Sequence, residues 1–208
     1  MWLSAFAAVL LGYLLGNLNG AVITSRLVAH EDVRKHGSGN GGLTNFVRVY
    51  GAGKALLVVL IDGGKAVIAC LAGGLLLQAY GLRTEGMALG GAAVLLGHTL
   101  PVFLGFKGGK GILSGFFVAV TVDWRIALII LGVFAIAYLA TQYVSLGSVL
   151  AAVAFAAGFV IFYYDNVTVM LCGVFMAALA TFMHRENIKR LLLGQERKTN
   201  LFGKGRKQ

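Results

Sequence analysis

The sequence predicts an all-α polytopic membrane protein with seven transmembrane helices, one of them short, an outside N-terminus and a cytoplasmic C-terminus. Three observations predict it. Of 208 residues, 58% are hydrophobic and 12% charged, about half the charged share of a soluble domain. A soluble fold of this size keeps too much surface to hide that much apolar side chain. The apolar residues form runs at roughly 3–25, 50–80, 87–105, 111–122, 125–142, 145–163 and 167–183. Most runs are near the ~20 residues a helix needs to cross a bilayer. Finally, fifteen of the 18 Lys and Arg residues lie in three places: 26–54, 105–111 and the stretch from His184 onward.

Each run can be justified in turn. The first has no Lys or Arg before Arg26 and no short apolar core followed by a cleavage site, so it reads as a span rather than a signal peptide. Asn17 and Asn19 within it read as interhelical hydrogen-bonding groups. The second contains Asp62 and Lys65, neighbours on a helix. An intramembrane charge costs about 2.5–3.5 kcal/mol on insertion scales, so the two read as a self-neutralising pair. The fourth run, 111–122, is too short for an upright crossing and reads as a tilted span or half-helix. The others are ordinary spans, and 30 Gly with one Pro suit closely packed membrane helices. Cys70 and Cys172 sit inside apolar runs and imply no disulfide or metal framework.

Lys and Arg mark cytoplasmic loops. The three basic segments share one side only after an odd number of crossings. Seven satisfy this; five, with 111–122 and a neighbour unspanned, is the alternative. This placement accounts for the net charge of +10, so nucleic acid is not an expected partner. One domain, 1–194, is expected, followed by a basic tail, 195–208, resting on anionic headgroups.

Three polar segments carry the chemistry. In 37–48, four glycines (Gly37, Gly39, Gly41, Gly42) can turn backbone N–H groups toward one point, and such nests bind anions. Ser38, Asn40, Thr44 and Asn45 add neutral groups, and Arg48 a planar guanidinium suited to phosphate. In 97–111, Lys107 and Lys110 lie among Gly108, Gly109 and Gly111, where the backbone can approach a ligand. In 184–196, His184 and Asn187 share a helix face, with Arg185 and Lys189 on the next. Together they suggest one phosphate cradle at the cytoplasmic border of the membrane.

Other chemistries fail on spacing. Position 104 is Leu, so Gly109-Lys110 does not complete a Walker A loop. No His has Asp five residues on, and Ser38 has His36 two before it, so neither a His-x4-Asp pair nor a serine elbow exists. Asp62-Gly63-Gly64-Lys65 lacks the aspartates and arginine of alcohol phosphotransferases. A transporter would place its polar groups near the midplane, whereas these cluster at one face.

Over nearly its whole length the chain resembles the bacterial acyl-phosphate–glycerol-3-phosphate acyltransferases. The resemblance rests on GSGNGGLTNFVR (37–48), GHTLPVFLGFKGGKG (97–111) and HRENIKRLLLGQE (184–196), with IDGGKA (61–66) as a looser fourth pattern. It implies a seven-span inner-membrane enzyme that moves a fatty acyl group from acyl phosphate to the 1-hydroxyl of glycerol 3-phosphate. The products would be lysophosphatidic acid and phosphate. It also implies a soluble enzyme that makes acyl phosphate. The few, dispersed carboxylates predict no metal or organic cofactor beyond the substrates. By position the resemblance implies Ser38, Arg48, Lys107, His184 and Asn187 as catalytic residues. Gly37, Gly39, Asn40, Thr44, Asn45, Gly108, Gly109, Lys110, Gly111 and Arg185 would bind substrate, with no metal site. Departures are Ile112-Leu113-Ser114 for Val-Ala-Thr, Ala66 for Gly, and Asn17-Leu18-Asn19 for a Ser-containing stretch. Acyl phosphate carries a good leaving group, so the expected mechanism is direct hydroxyl attack without an acyl-enzyme. Positioning and charge stabilisation then carry the rate.

Overall fold

The computed structural model describes residues 1–198, and among them there are ten α-helices and no strand. The basic tail beyond Lys198, with Lys204, Arg206 and Lys207, lies outside the described residues. In chain order the helices are α1 (Trp2–Gly16), α2 (Gly20–Ala29), α3 (Leu43–Tyr50), α4 (Ala55–Leu77) and α5 (Arg83–Thr99). They continue as α6 (Ile112–Val122), α7 (Trp124–Thr141), α8 (Val144–Phe162), α9 (Val167–Met183) and α10 (Arg185–Leu192).

Large apolar side chains point outward along the long helices: Leu60, Ile136 and Ile161 are each at least 60% exposed. This is the inverse of a soluble surface and fits helices that are apolar all round. Five helical stretches are long and apolar enough to cross a membrane: Trp2–Ala29, Ala55–Tyr80, Arg83–Leu104, Trp124–Thr141 and Val144–Phe162. The pair α9–α10, bent by 57°, makes a sixth when counted as one broken span. The expected short element is α6, whose 11 residues rise roughly 16 Å, about half a hydrocarbon core.

The inside of the bundle is lined with small residues. A Cβ on Gly97 would strike the Tyr13 carbonyl oxygen, and one on Gly86 would strike that of Gly73. Only glycine lets α5 approach α1 and α4 this closely.

The first apolar run is not one straight helix. It breaks at Asn17–Asn19, and a break at membrane depth must satisfy its own backbone groups. Asp62 and Lys65 of α4 do so. Asp62 Oδ1 accepts from Gly20 N at 2.9 Å, while Lys65 Nζ donates to the carbonyls of Gly16 at 3.2 Å and Leu18 at 2.5 Å. The expected pair exists, at 2.7 Å and almost fully buried. Lys65 Nζ also lies 2.9 Å from His98 Nδ1 of α5. The pair therefore ties α4 to the α1–α2 break and to α5.

The two ends of the bundle differ. At one, Asp123 pairs with Arg125 at 2.6 Å and faces the Tyr163 hydroxyl at 3.4 Å, and Asn166 donates to Glu85 at 2.8 Å. The three polar segments meet at the other.

Candidate active site

The loop before α3 is built around one side chain. Asn45, buried on α3, accepts from Ser38 N at 2.8 Å through Oδ1. Its Nδ2 faces the carbonyls of Val33, His36 and Asn40 at 3.0–3.2 Å. This folds 37–42 into a tight curl, in which Gly37 takes φ +63° and a Cβ there would strike Asn45 Oδ1. Asn45 thus holds the shape of the cradle through these hydrogen bonds.

The second loop docks on the first. Gly41 N donates to the Gly108 carbonyl at 3.3 Å, and Asn19 Nδ2 donates to the Gly41 carbonyl at 2.8 Å. Asn17 Oδ1 accepts from Phe103 N at 3.1 Å. The two asparagines that break the first span therefore anchor both loops. Gly109 N donates to the His98 carbonyl at 3.1 Å. A Cβ on Gly108 would strike that same oxygen. Arg34, fixed by Asp32 at 2.7 Å, donates to the carbonyls of Leu104 at 3.0 Å and Lys107 at 2.9 Å.

The third segment closes the arrangement. His184 is buried at the junction of α9 and α10, with Nδ1 2.8 Å from the Ala180 carbonyl. A carbonyl only accepts, so Nδ1 carries the proton, and in the neutral ring Nε2 is an acceptor. Asn187 Oδ1 accepts from Lys110 Nζ, and Asn187 Nδ2 donates to Glu196 at 2.8 Å. Arg190 Nε donates to Glu196 at 2.6 Å. The stretch after Gly194, expected as a tail resting on anionic headgroups, turns back here: Glu196 and Arg197 line the cavity.

These segments enclose a cavity of about 830 Å³. Its upper wall includes Ser38, Asn40, Thr44, Arg48, Lys110, His184 and Asn187. Gly37, Gly39, Asn45, Gly111 and Arg185 also line it. Arg185 is held away from the centre, over the Phe182 ring at 4.5 Å and donating to the Phe182 carbonyl at 3.2 Å. Gly108 and Gly109 lie behind the lining, against Gly41 and His98. The lower wall is apolar and comes from α6 to α9, with Ile130, Phe134, Ala151, Phe155, Met176 and Ala180 among its residues.

Lys107 is placed differently from Lys110. Its side chain is exposed and is not part of the lining; Lys110 is the lysine inside. The Arg34 grip on the Leu104 and Lys107 carbonyls holds that part of the loop on the outer surface.

Electrostatics favour an anion. Among the described residues Arg26, Arg34, Lys65, Arg125 and Arg190 are paired with carboxylates, whereas Arg48 and Lys110 are not. Burial pushes the Lys110 ammonium down to about 8, and the charges of Arg190 and Arg48 act in the same direction. Burial also lowers Arg48, with Arg197 and Arg190 adding to it. Both cations are held where positive charge is disfavoured, which an incoming phosphate relieves.

The profile of the glycerol-3-phosphate acyltransferase family matches residues 6–194. The chain belongs to that family. It is 40% identical over 194 residues to the glycerol-3-phosphate acyltransferase of Thermoanaerobacter sp. (strain X514), covering 93% of this chain and 95% of that one. It is 41% identical over 200 residues to glycerol-3-phosphate acyltransferase 1 of Deinococcus radiodurans, covering 95% and 97%. The crystal structure of PlsY (YgiH), an integral membrane glycerol 3-phosphate acyltransferase, superposes in its glycerol 3-phosphate form with TM-score 0.83 and 34% identity, over 95% of this chain and 96% of that chain. Its lysophosphatidic acid form gives 0.81 and 33% with the same coverage. For a glycerol-3-phosphate acyltransferase, the apolar lower wall is what sequence reasoning missed. Small residues such as Ala151 and Ala180 carry no signal that separates a groove from ordinary helix packing. Glu196 and Arg190 were likewise not singled out, since their pairing depends on a turn after α10.

Proposed function

We propose that this acyltransferase takes its acyl group from acyl phosphate and gives it to the 1-hydroxyl of glycerol 3-phosphate, forming lysophosphatidic acid and phosphate, the first acylation of phospholipid biosynthesis. One observation carries the reading: two cations without carboxylate partners and a donor-rich loop open directly onto an apolar groove within one cavity. Both substrates bear phosphate and one bears a chain, and the cavity offers a match for each. PlsY, the structural relative, exists in glycerol 3-phosphate and lysophosphatidic acid forms, which supports the acceptor and the product.

In this reading Arg48, Lys110 and the 37–42 curl hold phosphate oxygens, with Ser38 and Thr44 as neutral donors. The glycerol hydroxyl attacks the acyl carbonyl carbon, the carbon–oxygen bond to phosphate breaks, and phosphate leaves. The hydroxyl proton passes to a substrate phosphate. His184 Nε2, fixed as an acceptor, orients that hydroxyl, and Asn187 orients Lys110. Charge stabilisation and positioning supply the acceleration, with no acyl-enzyme and no cofactor. Lys107, on the outer lip, adds to the field that draws anions in.

The same reading places the enzyme in the inner membrane as a seven-span protein with α6 as the short span. The site end faces the cytoplasm because it carries most of the cations. The opposite end holds Arg83 and an Arg125 already paired with Asp123. A soluble enzyme delivers the acyl phosphate. The test is one assay: purified protein, labelled glycerol 3-phosphate, and acyl phosphate, acyl-CoA or acyl-carrier protein as donor. Lysophosphatidic acid from acyl phosphate alone supports the reading; product from a thioester donor and none from acyl phosphate refutes it.

A further inference from the structure

We propose that Phe155 is the stop that sets how long an acyl chain can lie straight in the groove; this rests on the acyl-transfer reading above. The groove descends between α8 and α9 from the polar wall. On α8 its lining runs from Ser145 to Phe155, and on α9 from His184 to Met176. At 1.5 Å per residue these stretches are roughly 15 and 12 Å deep.

Below that level the bundle is filled. The Phe155 ring lies 4.8 Å from that of Phe159, which lies 5.8 Å from that of Tyr163. Phe159 is fully buried and packs on Gly173, and fully buried Ile126 packs on Gly158. The aromatic column reaches the far end, where Tyr163 faces Asp123 at 3.4 Å. A chain therefore meets a wall at Phe155.

A tetrahedral carbon chain advances about 1.3 Å per carbon. The straight path therefore holds roughly nine to twelve carbons. Longer chains turn aside past Leu131, a lining residue that is 48% exposed on the lipid-facing side of α7. Lipid tails are as apolar as leucine, so a chain entering from the bilayer gains little from burial itself. Discrimination at this depth is steric.

Two substitutions move the stop in opposite directions. Phe155→Leu removes the ring and deepens the groove. Ala151→Leu raises the stop by one helical turn, roughly four carbons, and because Ala151 faces the cavity the larger side chain enters the groove rather than packed core. The full-length enzyme in proteoliposomes is given hexanoyl, dodecanoyl and hexadecanoyl phosphate in one equimolar mixture with glycerol 3-phosphate. The lysophosphatidic acids are then quantified by mass spectrometry. Product ratios within one reaction cancel any loss of folded enzyme. Phe155→Leu is expected to raise the 16-to-12 ratio about fivefold, the scale of roughly 1 kcal/mol of overpacking relieved. Ala151→Leu is expected to lower the 12-to-6 ratio roughly tenfold, the scale of a mild overpacking. Ratios within twofold of wild type in both variants overturn the stop and leave the reaction standing. Wild-type enzyme that forms no product of any length overturns the reaction, and the stop with it.

Discussion

Lys65→Met should be among the most damaging single substitutions outside the cavity. Asp62 accepts from both Gly20 N and Lys65 at 1% side-chain exposure. Removing the ammonium leaves a buried carboxylate with no counter-charge, a loss of about 3–5 kcal/mol in comparable pairs. It also strips a donor from the Gly16 and Leu18 carbonyls, the orphaned end of α1. For a chain of this length, 1 kcal/mol corresponds to about 2–4 °C in Tm, so the expected loss is roughly 6–20 °C. Asp62→Asn with Lys65→Met removes both charges, while the amide oxygen that replaces the carboxylate still accepts from Gly20 N. That double variant should recover a large part of the loss, with a coupling of about 1–3 kcal/mol. The assay uses the protein's own thiols: Cys70 is buried, so a maleimide dye that fluoresces on reaction reports unfolding in a thermal scan of detergent-solubilised enzyme. A Lys65→Met midpoint within about 2 °C of wild type would refute the claim that this pair holds the α1–α2 break. Additive losses in the double variant would refute the pairing itself.

The two lysines should separate cleanly. Lys110→Met is expected to cost about 100–1000-fold in kcat/KM for glycerol 3-phosphate, the scale of a lost oxyanion donor, whereas Lys107→Met should stay within about threefold because an exposed, screened charge contributes little; steady-state kinetics on both variants decides it. Lys110 also fixes a pH dependence. Its conjugate-acid pKa is pushed down to about 8, so the cation is present below that pH and lost above it. The kcat/KM profile for glycerol 3-phosphate should therefore fall above about pH 8, and Lys110→Arg should carry the plateau to higher pH; a flat wild-type profile to about pH 9.5 would exclude Lys110 as the phosphate ligand. Gly108→Ala should lose more than about tenfold in turnover with a Tm within a few degrees of wild type, because the added Cβ runs into the His98 carbonyl and shifts a surface loop rather than the bundle.

Some of this could be read from the chain and some could not, for physical reasons that differ by residue. The apolar runs marked the long helices within a few residues, because a bilayer imposes length and polarity on each span separately. The Asp62–Lys65 pair was legible because its spacing is local. The break at Asn17–Asn19 was not. Those asparagines read as interhelical groups, and that they anchor two loops depends on contacts 22 and 86 residues away. Lys107 and Lys110 are alike in sequence, each beside glycine in a basic turn. What separates them is the distant Arg34, whose side chain grips the Lys107 carbonyl across 73 residues. That Asn45 frames the loop was not legible either, because its partners Ser38, His36 and Val33 are brought to it only by the fold.

The length of α6 explains why a polar site can share a cavity with a lipid groove. Helices α6 and α7 meet in the tight turn at Asp123, at the far end of the bundle. From that turn α7 rises 18 residues and α6 only 11, so α6 stops roughly 10 Å short. The loop 100–111 drops into the space this leaves, where Gly109 meets His98 and Lys110 meets Asn187. Lys110 and its neighbours are thereby recessed to the level where the apolar wall begins. Two consequences follow. In a recess of low dielectric each charge acts more strongly than in water, and the lowered Lys110 value is the mark of that setting. A full-length α6 would lift the same loop into solvent, parting Lys110 from the apolar groove with which it shares the cavity. This helix, too short for an upright crossing, is thus the element that brings the polar and apolar walls of one cavity together.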